Sequence, residues 1–225
     1  MRLPLPQFST QNRHPSYIAE VIETATTEFL AQCLEPEDLS FAAMPPFGSW
    51  VKAADEESGN QIYAVVYHVT TSPIDSIHRA RALGLSLQDL REQQPQIFAM
   101  LKTEFRAAIA GFQPRRTSNN GYGNGTLLSD TIHQHLPPRP PQIHQAVYYC
   151  ESEEVVQFSE KLDFLRTLLQ VRNAPVESLA AAAIREIYQL RQGDRTWLVQ
   201  AGRSLSILLK DDYDRLRVIL DQIYL

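Results

Sequence analysis

Six histidines and two cysteines are the side chains with which this 225-residue chain could hold a metal ion or form a covalent intermediate. His133 and His135 form an H-x-H pair, and His144 follows nine residues on. Three neutral imidazoles can ligate zinc or another divalent ion, but this spacing matches no closed structural zinc site. The stretch around them is proline-rich and has no periodicity that would set the rings' geometry, so loop histidines are the simpler reading and a metal site the alternative. His68 and His78 flank the end of a long apolar run, where a rim or core histidine is a simpler reading than a general base. Cys33 and Cys150 are far apart and carry no C-x-x-C signal, which points to buried free thiols in a reducing compartment. Ser49 sits in Gly48-Ser49-Trp50, not in the G-x-S-x-G of a nucleophile elbow. No catalytic residue and no cofactor is expected.

The remaining chemically suggestive features point to contacts. Pro137-Pro138-Arg139-Pro140-Pro141 can form a polyproline II helix, either as a stiff connector or as a preformed ligand for an aromatic groove. His78, Arg79 and Arg81, and further on Arg115 and Arg116, are local basic spots, read as solvated charge or as a meeting point for an acidic partner surface or RNA. The net charge of -5 argues against nucleic acid as the default partner. No stretch approaches the ~20 apolar residues that span a bilayer, and Met-Arg-Leu-Pro-Leu-Pro lacks a signal peptide's apolar run. A cytoplasmic protein without membrane insertion is therefore expected. With 44% hydrophobic and 21% charged residues, most of the chain should pack into a core.

The elements that must position these groups change type along the chain. Tyr17 to Thr24 reads as a strand, with Phe29 to Leu34 able to pair with it. Ser49 to Ala53 follows the turn at Pro45-Pro46-Phe47-Gly48. Gln61 to Thr71 is nearly continuous in apolar and aromatic residues, as a strand covered on both faces would be. Ser86 with Asp89 marks a helix start, and Pro95 opens a further turn. Thr103 to Phe112 returns to the sheet as a last strand, although its alanines leave helix open.

Residues 113–143, with their Gly/Asn and Pro clusters, read as a linker or long loop. Beyond them the period is helical. Val155, Phe158, Leu162, Leu165 and Leu169 form one stripe. A second helix opens at Pro175 and closes before Gly193, with the run Leu179-Ala180-Ala181-Ala182-Ala183-Ile184 permitting close approach within the bundle. Trp197, Ala201, Leu205 and Leu208 make a third stripe, and Tyr213, Leu216, Leu220 and Ile223 a fourth. The expected class is α+β: a leader over 1–13, a small β-barrel with short helices over 14–112, the linker, and an α-helical bundle or arm over 144–225.

Tyr17 to Thr24, Gly48-Ser49-Trp50-Val51-Lys52 and Ile62 to Val69 together resemble the HAS-barrel domain. This small barrel is shared by HerA-type translocase ATPases and the catalytic subunits of the rotary ATP synthase. The run Leu90 to Phe105, with Leu136 to His144 after it, is similar to a bacterial group of stand-alone HAS-barrel proteins. No G-x-x-x-x-G-K-[ST] occurs in the chain, so nucleotide hydrolysis is not carried over. What the resemblance implies is ring assembly and partner docking, and it makes an ATPase or another large assembly a candidate partner. The functional expectation is a non-catalytic protein-interaction or assembly module, an adaptor able to form a homo-oligomer. A metal-dependent or rim-site enzyme and a nucleic-acid-associated accessory factor are the alternatives.

Overall fold

Strands rich in β-branched and aromatic residues, of which β1–β2 and β3–β4 are joined by short turns, curl into a barrel in the computed structural model. It describes residues 14–35, 44–74, 82–94, 96–117, 126–128 and 131–223. Strand β1 (Tyr17–Thr24) pairs with β2 (Glu28–Cys33), and β3 (Trp50–Ala54) with β4 (Gln61–Pro73). The short helices α1 (Leu87–Gln93) and α2 (Gln96–Ala99) precede β5 (Leu101–Gln113). The segment left open between strand and helix is thus a strand of thirteen residues. It buries one face in the barrel and, at Ala108 and Ala110, the other under helices. Strands β6 (Arg115–Thr117) and β7 (Thr126–Leu128) form a separate ribbon, and β8 (Ala146–Tyr149) comes last.

The barrel closes in the order β1-β2-β5-β4-β3-β8, with every neighbouring pair antiparallel. Its interior is narrow, and the side chains that fill it are mostly small: Ala19, Ala31, Ala53, Ala64 and Ala107 sit among Val21, Phe29, Ile62 and Phe105. The interior is a packed core.

Seven helices in all are described, five of them after the barrel: α3 (Ser152–Phe158), α4 (Phe164–Leu168), α5 (Val176–Leu190), α6 (Arg195–Leu208) and α7 (Tyr213–Ile223). They cover the outer wall of β3, β4 and β5. Trp50, Tyr63, Val65 and Tyr67 share one buried cluster with Phe158, Phe164, Leu179 and Ile184. The contact is close enough that Gly48, at φ +89°, has no room for a side chain against Ala182 of α5. The alanine run of α5 is 0–5% exposed, so it serves packing within the chain.

Four expectations are corrected. The barrel does not end at 112, because β8 supplies the sixth strand from beyond the expected linker and pairs with both β1 and β3. The barrel and helices also share a core, so the boundary drawn at 113–143 does not separate two packing units. The stripe from Val155 to Leu169 is two short helices. Gln134 holds the break open: its amide donates to the carbonyls of Phe158 and Lys161 at 2.5 and 2.9 Å and accepts from the Phe164 N–H at 2.9 Å. Finally, Tyr213 is 73% exposed, and Ile219 takes its place in the buried stripe of α7.

Candidate interaction surface

Residues 131–143, the later part of the segment expected to link the two parts, are tied to both: His133 to the barrel and Gln134 to the helices. His133 exchanges both backbone hydrogen bonds with Phe112 at 2.9 Å, and the two rings stack at 5.1 Å. His135 packs against the same pair, 5.3 Å from each ring, and its Nδ1 lies 3.0 Å from the Leu136 carbonyl. His144 is held elsewhere, at φ +70°, with its backbone N–H on Val21 and its ring 3.9 Å from Glu20. The structure therefore brings His133 and His135 together around Phe112 and leaves His144 out. Among the described residues no group of three or more His, Cys, Asp or Glu side chains is arranged to hold a metal.

In the proline run Pro137 and Pro141 are buried, while Arg139 is ion-paired with Glu57 and Gln142 donates to Glu57 at 3.2 Å. An incoming aromatic groove would have to displace these contacts, so the run serves as an internal strap. His78, Arg79 and Arg81 lie outside the described residues, as does Gly121-Tyr122-Gly123-Asn124-Gly125. Arg115 lays its stem over Gly59, and Arg116 has no described side chain. His68 is exposed and bonded to Thr70. Ser49 is buried and donates to the Pro46 carbonyl, with no base beside it.

Several polar groups at the barrel–helix seam are engaged with one another, while the buried Trp50 Nε1 has no hydrogen-bond partner among the described residues. Lys52 Nζ contacts both carboxylate oxygens of Glu154 at 2.7 Å. Glu154 also accepts from Gln61 at 3.0 Å and closes the α3 capping box on the Glu151 N–H. Gln61 donates to Tyr63, whose hydroxyl donates in turn to Gln113 at 2.8 Å. Burial, reinforced by Glu154, raises the Tyr63 phenol above its ordinary range. On α5, burial raises the Glu186 carboxyl, against the lowering effect of the Trp50 backbone N–H that it accepts. Both cysteines are free thiols. Burial pushes Cys33 up to about 12 and Cys150 well above its usual value. Sequence spacing held no signal for Glu186 or for the Lys52–Glu154 pair, whose members are a hundred residues apart.

Several apolar side chains stay exposed, among them Val199, Ile207 and Val218 on the helices and a set around the β4–β5 ribbon. β3 runs out opposite Val65, and β2 opposite Glu104, so beyond these points β4 and β5 pair only with each other and leave the barrel as a two-stranded ribbon. At the ribbon's tip Ile74, Leu83, Leu85 and Leu87 are 38–56% exposed. Ser86 caps α1 as its spacing to Asp89 predicts, yet α1 has no buried residue. Met44 and Phe47, also exposed, lie at the same end of the barrel, where Gly48 donates to Val66. Exposed apolar side chains at the end of β4 and in its connection to β5 make a candidate binding surface.

A closed six-stranded antiparallel barrel with helices packed on one wall defines an α+β barrel protein. The family model of the HAS barrel domain matches residues 18–113, and the chain carries that domain there. No curated protein matches the chain. The matched span contains β1 to β5, whereas the closing strand β8 and helices α3 to α7 lie beyond it. No described helix is long and apolar enough to cross a membrane.

Proposed function

We propose that this chain is a non-catalytic interaction or assembly module of the cytoplasm that docks onto a protein partner through the β4–β5 ribbon. The observation that carries this reading is the exposed set Ile74, Leu83, Leu85 and Leu87 on an element that projects from the barrel. These side chains are already about half-buried, so covering the rest contributes about 1 kcal/mol each before the cost of association, and a specific contact depends on a partner shaped to receive them. The barrel and its helices then act as a rigid base that aims the ribbon.

The test is affinity purification of the tagged chain from its native cytosol, beside a variant carrying Leu83→Ser, Leu85→Ser and Leu87→Ser. All three side chains are exposed, so the variant should melt as the parent does. A specific protein recovered with the parent and lost with the variant supports the reading. Recovery of the same proteins by both refutes the ribbon as the contact.

A further inference from the structure

On the side of the barrel away from the ribbon's tip, the β1–β2 turn faces the loop between α4 and α5 across a groove of about 890 Å³. That volume lies within the range of small-molecule sites. Its polar lining includes groups able to donate, the hydroxyls of Thr26, Thr27 and Thr167 and the amides of Gln170 and Asn173, beside Glu28 and His135. Arg172 lines it as well and has no ion pair among the described residues.

The groups that would repel an anion are already engaged. Glu28 accepts from the Tyr67 hydroxyl at 2.5 Å and from Arg106 at 3.1 Å, and Arg106 also pairs with Glu23 at 3.6 Å, so the charge of Glu28 is partly compensated. The carbonyls of Thr167 and Leu168 accept from the N–H groups of Gln170 and Val171, and the Thr27 carbonyl accepts from Ile109. That leaves Arg172 as the unpaired formal charge among the lining residues. Leu136 and Val171 add apolar surface beside it.

We propose that this groove binds a small organic oxyanion, a carboxylate or phosphate carried on an apolar body. Arg172 supplies the charge-assisted hydrogen bonds, the threonine hydroxyls and amides complete the oxyanion's shell, and Leu136 and Val171 cover the apolar part. The proposal does not rest on the interaction reading, since none of the ribbon's exposed leucines lines the groove.

The experiment is an NMR titration of the ¹⁵N-labelled full chain with phenyl phosphate, phenylacetate and the neutral phenylacetamide. Saturable shifts confined to residues 26–28, 135–136 and 167–173 are expected with one or both anions and not with the amide. The anion that binds more tightly identifies the headgroup. Arg172→Ala should weaken binding about tenfold, the loss expected of a charge-assisted hydrogen bond. Arg172 is exposed, so its variant should keep the parent's melting temperature. Should it not, Gln170→Ala serves as the second variant, with a smaller loss expected. Absence of saturable shifts with both anions overturns the proposal, and so does binding of the amide as tight as that of the anions. The leucine-to-serine ribbon variant should titrate as the parent does, which separates failure here from failure of the interaction reading.

Discussion

Replacing Gly48 by alanine should destabilise the protein far more than the addition of one methyl group suggests. Gly48 has φ +89°, a conformation in which an L side chain is strained by about 1–2 kcal/mol. A Cβ built there would lie 2.5 Å from the Ala182 Cβ and 3.1 Å from its carbonyl carbon, whereas carbon atoms at rest stay about 3.5–4.0 Å apart. Neither side yields cheaply. The Gly48 N–H is bonded to the Val66 carbonyl at 2.7 Å, and Ala182 belongs to the buried face of α5. Overpacking of this kind costs about 1–3 kcal/mol, so the total should be about 2–5 kcal/mol, a large share of the ~5–15 kcal/mol that holds a domain together. Urea unfolding followed by the fluorescence of Trp50 and Trp197 measures it. Adding Ala182→Gly should remove the 2.5 Å overlap with the Cβ and leave the backbone strain and the 3.1 Å contact with the residue's carbonyl carbon. The double variant should then be about 1–3 kcal/mol more stable than the sum of the single losses, even though glycine within a helix costs about 1 kcal/mol by itself. A single-variant loss below about 0.5 kcal/mol, or strict additivity of the pair, would refute the close barrel–helix contact.

Gly111 offers a purely steric counterpart, because its φ is ordinary and a Cβ there would overlap the His133 carbonyl and touch Phe158. Gly111→Ala should therefore lower stability by about 1–3 kcal/mol by loosening the strap, and an unchanged urea midpoint would contradict the strap's placement. Cys33, pushed up to about 12, should have roughly a thousandfold less thiolate at neutral pH than a free thiol and react correspondingly slowly with iodoacetamide until the chain is unfolded. Labelling at the rate of a free thiol in the folded protein would contradict its burial. Glu186, raised by burial, holds its proton more tightly in the folded chain, so its contribution to stability is full below the usual carboxylate value of about 4.3 and is lost as pH rises through the raised value. Glu186→Gln removes that dependence. The stability of the parent relative to the variant should fall on going from about pH 4 toward neutrality, and parallel pH profiles would count against the assignment.

The barrel strands were legible because each carries a local pattern. The alternation of β1, the turn before Gly48 and the two-sided apolar run of β4 all have their causes within a few neighbouring residues. The capping serine of α1 and the cap positions of α5 were legible for the same reason. The closing strand was not. Ala146–Tyr149 is four residues long, too short for periodicity to register, and it is a strand because β1 and β3 each present an unpaired edge to it. The helix break near Lys161 likewise depends on a glutamine nearly thirty residues earlier.

Taken alone, the sequence determined the α+β class, most of the strands and helices and much of the buried helical stripes, since these follow from propensity and period. It also singled out the histidines and prolines as chemically suggestive. Tertiary structure decided what becomes of them: His133 and His135 meet around Phe112, His144 turns to Glu20, and the proline run becomes a strap held to Glu57. It also decided that barrel and helices share one core and that the ribbon's leucines and the groove beside Arg172 stay open. The physical reason is that local preferences act over a few residues, whereas burial and pairing are set by whichever distant segments the closed barrel and its helices bring into contact.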